Sequence, residues 1–390
     1  MNSGIQRVFR GRESLKKLPQ MMEKLGMEKP MIVGGETLTR RLMKQHPGLI
    51  NAPVFSGYHP NPDLDDAAAG EALFRRQGCD GLISIGGGSA IDTAKAIRAA
   101  LAAGSLEALK AQWITGTAKA DGTQGETEGT EVPQIAIPGT AGSGAEATPS
   151  AVVYVQGRKT SLSAPGLTPE GVILDASLLD SLPVYHKKSS ALDALCQGIE
   201  SYWSRSATTD SRVNAYLAIL GVLDNLKAYL AGDPHAAEEM MDAAYQSGKA
   251  IAISKTTAAH ALSYQITTRM GLAHGHACML TLPVIWEELN RQEDQKELMG
   301  ELSSIMRLGN PLMGPKLLKG ILLDLEMAIP EMPDAKTLEE MAGMVNTERL
   351  SNHPMALTTE DVQKIYRRSF LKTPPMEQQA CIDIWRYYGA

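Results

Sequence analysis

The sequence predicts an α/β domain over residues 1–185 followed by an all-α domain over residues 186–390. Three observations carry this. Short apolar runs alternate with segments of helical period in the first half, two of those runs end in glycine-rich turns, and strand signals fade after SLPVYHKKSS (181–190).

Taken in order, MIVGG (31–35), DGLISIGGG (80–88), QIAIPGT (134–140), AVVYVQ (151–156) and GVILDAS (171–177) read as buried strands. LTRRLMKQ, DAAAGEALFRRQG and AIDTAKAIRAALAAG between them carry helical spacing. Strand, helix, strand at this interval implies an α/β layer with a parallel sheet. TAKADGTQGETEGTE (117–131) is polar and rich in Gly and Thr, and reads as a surface loop. From Ala191 onward long helical patterns follow, among them ALDALCQGIESYWS, RVNAYLAILGVLDNLKAYL, AAEEMMDAAYQSGKAIAI and GPKLLKGILLDLEMAI.

The 390 residues suffice for two cores, and 43% apolar with 21% charged residues excludes wholesale disorder. A net charge of -6 argues against a nucleic-acid partner, which needs a cationic face. No apolar run reaches the roughly 18 residues of a membrane span, and MNSGIQRVFRGRESLKKL lacks the apolar centre of a leader. Cys79, Cys196, Cys278 and Cys381 form no CxxC pair and read as reduced thiols. A cytoplasmic location is the expectation.

Two turns carry chemistry. Gly86-Gly87-Gly88-Ser89 closes one strand and opens a helix, so the backbone can approach a bulky anion at a helix N-terminus. It is not GxGxxG. A tight strand-to-helix turn would use the same residues. Pro138-Gly139-Thr140-Ala141-Gly142-Ser143-Gly144 follows another strand and offers hydroxyls at Thr140 and Ser143. Two such turns at the carboxyl ends of parallel strands point to one extended nucleotide.

In the second half, Asp193 and Gln197 stand four apart on one helical face, and His260 and His274 flank another helical stretch. A carboxylate with imidazoles suits Zn2+ or Fe2+. Spacing alone does not bring the two stretches together, and each residue could equally be a hydrogen-bonded core side chain.

At these residues the chain resembles the iron-containing (group III) alcohol dehydrogenases. GGGSAIDTAK, PGTAGSGAEAT, LDALCQGIESY and HALSYQITTRMGLAHGHACMLTLP follow that family's four motifs in order. The resemblance implies a dinucleotide-binding α/β domain, a helical metal-binding domain, NAD or NADP as cofactor and one divalent metal, Fe2+ or Zn2+. It implies Asp193, His260 and His274 as metal ligands. It places Gly35, Gly86, Gly87, Gly88, Ser89, Asp92, Thr140, Ser143 and Leu182 at the cofactor, with Lys95 in the same helix as Asp92.

Departures sharpen this reading. Gln197 stands where the family has a fourth ligand, a histidine, and Tyr264 replaces a histidine assigned to proton relay. Gly35 replaces an aspartate that binds the ribose hydroxyl, with Glu36 beside it, which leaves NAD and NADP both open. A narrower resemblance, in SKTTAAHALSY and HGHA, is to reductases of phosphonoacetaldehyde and sulfoacetaldehyde. Lys255 and Arg269 then stand as cations for an anionic tail, with Arg158 and Lys159 as weaker candidates. The expectation is a small anionic aldehyde as substrate, Lys255 and Tyr264 as catalytic-site residues, and a homodimer without nucleic-acid or membrane partners. The rival readings are an alcohol dehydrogenase of neutral substrates, a lyase resembling dehydroquinate synthase, and a non-catalytic nucleotide-binding relative.

Overall fold

A computed structural model describes residues 6–59, 62–114, 132–155, 158–163, 165–345 and 350–388. The loop expected over 117–131 lies outside the described residues, and so do the side chains of Arg158 and Lys159. The chain divides into two compact units, Met1–Leu182 with Gly232–Gly248, and Pro183–Ala231 with Lys249–Ala390.

The first unit is built on six parallel strands: β1 (Arg7–Arg10), β2 (Pro30–Gly34), β3 (Val54–Phe55), β4 (Gly81–Gly86), β5 (Gln134–Pro138) and, after the hairpin β6 (Ser150–Val155) and β7 (Arg158–Ser163), β8 (Gly171–Leu174). Their spatial order is β1-β8-β5-β4-β2-β3. Every residue of β2, β4, β5 and β8 is buried, which explains their near-continuous apolar sequences. The period of two still divides them between two faces. Met31, Val33 and Leu82 join one cluster with Ala94, Ala96 and Ile97 of α4 (Gly88–Ala102) and Leu64 and Phe74 of α3 (Leu64–Gln77). Ile32, Ile83, Ile85, Ile135 and Ile137 join the other with Leu18 and Met21 of α1 (Leu18–Leu25) and Leu42 of α2 (Glu36–Gln45). Local signals end the helices. Asp63 forms a capping box with Asp66 at the start of α3, and left-handed Gly78 closes it.

Two assignments differ from the sequence reading. AVVYV is not part of the parallel sheet; it pairs antiparallel with Arg158–Ser163 in register Ser150↔Ser163 to Val155↔Arg158. A β-branched run has the same composition in either setting, so periodicity could not separate them. The segment Gly232–Gly248, read as part of the helical domain, belongs to the first unit. Its side chains reach the sheet side: Tyr245 donates to Gln6 at 2.6 Å, and Asp242 pairs with Arg10 at 2.7 Å.

The second unit has helices and no strand among its described residues. Its first helix, α6 (Val184–Trp203), follows α5 (Leu106–Ile114) in chain order and is buried without a break from Ala191 to Trp203. Around it lie α7 (Thr209–Leu230), the last turns of α8 (Pro234–Ser254), α9 (Ala258–Met270) and α10 (His274–Leu289). No helix among the described residues is long and apolar enough to cross a membrane.

Gly144 and Gly248 approach within the first unit until a Cβ on Gly144 would lie 2.4 Å from the Gly248 Cα, at a Gly144 φ of +59°. Gly144→Ala should therefore destabilise by about 2–4 kcal/mol, combining overpacking with a left-handed backbone. Thermal unfolding should show a lowered Tm; an unchanged Tm would contradict this packing.

Candidate functional site

Asp193, Gln197 and Glu200 stand at i, i+4 and i+7 of α6, which gives them one face. All three are buried. α10 approaches this face closely at Gly275, where a Cβ would lie 2.0 Å from the Ser189 carbonyl and 2.7 Å from the Asp193 Cβ. Only glycine allows that contact. It brings His274 and Cys278, one turn apart on α10, to Asp193, while α9 adds His260. The donor atoms of Asp193, His260, His274 and Cys278 all lie within 4.8 Å of one another.

The charged groups around the cluster are held in place by specific bonds. Glu200, with no exposure, accepts hydrogen bonds from the Thr257 hydroxyl at 2.6 Å, the Ala259 N–H at 2.8 Å and the Thr257 N–H at 3.1 Å. Its other oxygen holds His260 Nδ1. Burial opposes a charge on Glu200, but the His260 ring and the Thr257 hydroxyl outweigh it and keep the carboxyl below its usual range. With Nδ1 engaged, His260 turns Nε2 toward Asp193 Oδ1, 3.3 Å away. Ser263 Oγ lies 3.2 Å from His274 Nδ1 and orients the second ring in the same way. Burial also opposes charge on His260, yet Cys278, Glu200 and Asp193 outweigh it and raise the ring well above its usual pKa. Asp193 and Glu200 thus face the two ring nitrogens of His260 from opposite sides.

A divalent ion fits these residues. Across a tetrahedral ion, nitrogen and oxygen donors sit about 3.4 Å apart, given metal distances of about 2.0–2.2 Å. The His260–Asp193 spacing is close to that value. The carboxylate–imidazole pair behind it is the usual support of a metal-binding histidine.

The remaining candidates in this unit lie on α9 and in the link before it. Tyr264 is half-buried and stacks on His274, with ring centroids 5.8 Å apart. Lys255 is exposed in the short link between α8 and α9, at φ +59°, with its N–H bonded to the Ile251 carbonyl. Arg269 lies at the exposed end of α9, where Glu340 at 3.3 Å and Gln265 at 3.3 Å engage its guanidinium. Sequence reasoning missed Glu200 and Cys278. The i+7 step from Asp193 and the i+4 step from His274 were the available signals, but a buried thiol or carboxylate has many ordinary roles.

In the first unit, the two turns singled out from sequence are neighbours, because β2, β4 and β5 pair side by side. The Gly139 N–H donates to the Gly86 carbonyl at 2.7 Å, and Ser143 Oγ sits 2.9 Å from where a Gly88 Cβ would be. Gly87 caps α4 without a side-chain hydrogen bond, so the helix end has no built-in anion. Chain order also reverses here: β3 lies on one side of β2 and β4 on the other, the arrangement that opens a ligand crevice at the carboxyl edge. Gly35 caps α2 at this same edge, and a Cβ there would meet nothing within 4 Å. Its neighbour Glu36 is paired with Arg40. A dinucleotide backbone fits this edge. Leu182 is half-buried beyond the short helix Ala176–Ser181.

Asp92 has a structural contact as well. Its Oδ2 accepts the Val152 N–H at 2.9 Å, and Lys95, fully buried, lies 3.7 Å from Oδ1. The Lys95 ammonium donates to Ala145 O at 2.5 Å, Ser150 O at 2.7 Å and Thr148 Oγ1 at 3.0 Å. It thereby ties the second glycine turn to the hairpin.

A parallel α/β unit with a glycine-lined carboxyl edge, joined to a helical unit with a buried carboxylate–imidazole cluster, defines a two-part, metal-binding class of protein. Residues 6–176 match the family described as iron-containing alcohol dehydrogenase, and residues 188–370 match the C-terminal part of that family. The chain belongs to the iron-containing alcohol dehydrogenase family. It is 37% identical to a phosphonoacetaldehyde reductase of Streptomyces viridochromogenes over 57% of this chain and 57% of that protein. It is 28% identical to a lactaldehyde reductase of Escherichia coli over 70% and 71%. The chain thus matches the first of these over little more than half of its length. The crystal structure of sulfoacetaldehyde reductase from Bifidobacterium kashiwanohense in complex with NAD+ shares the fold, with a TM-score of 0.82 and 24% identity over 94% of this chain and 98% of that one.

Two outcomes follow from these contacts. Glu200→Ala leaves His260 and the start of α9 without their acceptor, and should cost about 3–5 kcal/mol of stability and about 10–100-fold in metal affinity. Calorimetry and metal titration check both. In the first unit, burial pushes Glu146 up to about 7, against the pull of Lys95. Its raised pKa makes the native state bind the extra proton between the ordinary carboxyl range and pH 7, so stability falls as pH rises through that window. Glu146→Gln should remove this slope, raising Tm at pH 7 more than at pH 4.5; an equal effect at both would refute it.

Proposed function

We propose that the protein is a metal-dependent, NAD(P)H-linked reductase of a small aldehyde carrying an anionic tail, phosphonate or sulfonate. The convergence of Asp193, His260 and His274 behind a Glu200-supported imidazole carries the metal part of this reading. Asp193, His260 and His274 would hold the ion, with Gln197 on the same face of α6 as a further oxygen donor. When bound, the ion supplies polarisation of the carbonyl oxygen and the reduced nicotinamide supplies hydride.

The chain's own residues do the rest. Glu200 keeps the proton on His260 Nδ1, so Nε2 stays available as a donor. Ser263 does the same for His274. Tyr264, stacked on His274, offers a phenol O–H to the reduced oxygen, and as a weak acid it donates a hydrogen bond and does not act as a base. In the first unit, the turns at Gly86-Gly87-Gly88-Ser89 and Thr140–Ser143 hold the cofactor phosphates, with Asp92 holding the helix behind them and Leu182 lining the cofactor. Gly35 leaves room for a 2′-phosphate, so both cofactors are accepted. Lys255 orients the anionic tail; the name of the 37% identical relative supports that choice. Arg269, already engaged by Glu340, is the lesser cation. The protein acts as a homodimer in the cytoplasm in this reading.

A substrate panel tests the proposal. Reduction of phosphonoacetaldehyde, sulfoacetaldehyde and propanal is followed with NADH and with NADPH. An anionic tail should raise kcat/KM by about 10–100-fold, the worth of a charged hydrogen bond, and Lys255→Ala should remove that advantage. Equal kcat/KM for all three would overturn the anionic substrate and leave a dehydrogenase of neutral alcohols. Full activity after exhaustive chelation would overturn the metal. Turnover with no net change in NADH would point to a lyase, and no turnover with no bound metal to a non-catalytic protein.

A further inference from the structure

Cys278 is fully buried, and its surroundings are donors, not an apolar wall. Its Sγ lies 3.9 Å from His274 Nε2, one helical turn back on α10, and within 4.8 Å of donor atoms of Asp193 and His260. A buried cysteine elsewhere in a core is a small hydrophobe. Here it shares a pocket with two carboxylates and two imidazoles.

We infer that Cys278 is a metal ligand, and that Asp193, His260, His274 and the Cys278 thiolate form a four-donor site selective for zinc. The inference rests on the metal-dependent reading above, puts Cys278 in place of Gln197 as the fourth ligand, and names the ion. Three physical points carry it. First, sulfur and nitrogen donors on one tetrahedral ion stand about 3.6 Å apart, given about 2.3 Å to sulfur and about 2.0–2.1 Å to nitrogen. The observed 3.9 Å needs only a small closure. Second, burial fits: Cys278 has no solvent exposure and Asp193 and His260 are buried with it, so the sulfur already stands inside the cluster. Third, softness decides the ion. Gln197 offers only a hard, neutral amide oxygen on this face, while a thiolate with two imidazoles suits zinc. On binding, the thiol loses its proton to solvent and the sulfur lone pair forms the metal bond. Four protein donors fill a tetrahedron, so an incoming carbonyl oxygen would be a fifth donor, which zinc accommodates.

The experiment uses the full-length protein, stripped of metal and reloaded with Zn2+ or Co2+. X-ray absorption of the zinc form should show one sulfur scatterer at about 2.3 Å among nitrogen and oxygen neighbours. The cobalt form should show an intense thiolate-to-cobalt charge-transfer band. Cys278→Ser should lose both signals, and Cys278→Ala should bind zinc at least about tenfold more weakly. Cys196→Ala, at a buried thiol of α6, should keep them. Stoichiometric metal without a sulfur signal would overturn the thiolate ligand and leave the metal-dependent reading intact. No metal uptake by the wild-type protein would overturn both. A sulfur signal that survives in Cys278→Ser but vanishes in Cys196→Ala would move the ligand and overturn the assignment.

Discussion

A carboxylate with no solvent exposure has to be answered by the protein, since an unpaired buried charge costs several kcal/mol. Glu200 meets this demand with hydrogen bonds from three residues of one short stretch, Thr257, Ala259 and His260. That requirement sets the start of α9. The helix begins at Ala258 because its first free N–H groups find an anion supplied by α6, the arrangement its dipole favours. Once α9 is held there, His260 is presented with Nδ1 engaged and Nε2 directed at Asp193. The cluster is a consequence of satisfying Glu200.

The second condition is contact distance. His274 and Cys278 reach Asp193 because α10 meets α6 at Gly275, where no larger residue fits. Close packing of this kind transmits position accurately, since rotamers in a filled interior have little freedom. Trp203, at the end of α6, donates to Thr257 Oγ1 at 2.9 Å and packs edge-on against Trp286 of α10. One helix thus indexes both of the others. The same logic operates in the first unit with different chemistry. Lys95 has no exposure and a pKa lowered by burial to about 8, with Asp92 and Glu146 opposing the shift. It holds the second glycine turn through backbone carbonyls, while β4–β5 pairing sets that turn beside the first.

Much of this was legible in the sequence. The buried strands announced themselves through unbroken apolar runs, and the helices of both units through period. The glycine turns stood at strand ends, where backbone approach matters. Asp193, His260 and His274 were named from residue type and resemblance. Other features were not legible for definite reasons. Ser150–Val155 has the composition of a core strand but pairs as a hairpin. Gly232–Gly248 has helical period, and period says nothing about which core a helix joins. Glu200 and Cys278 are each common in interiors.

Amino-acid order by itself therefore determined the element types, the parallel α/β unit, the glycine-lined edge and the residue types available to hold a metal. These are local properties, set by period, backbone freedom and donor chemistry. Only the tertiary structure decided which donors meet. It put Cys278 with the three predicted ligands and Glu200 behind His260, and it gave Arg269 a partner in Glu340. The reason is physical: residues eighty positions apart share a site only after helix packing has set distances to within an ångström, and no one-dimensional spacing encodes that.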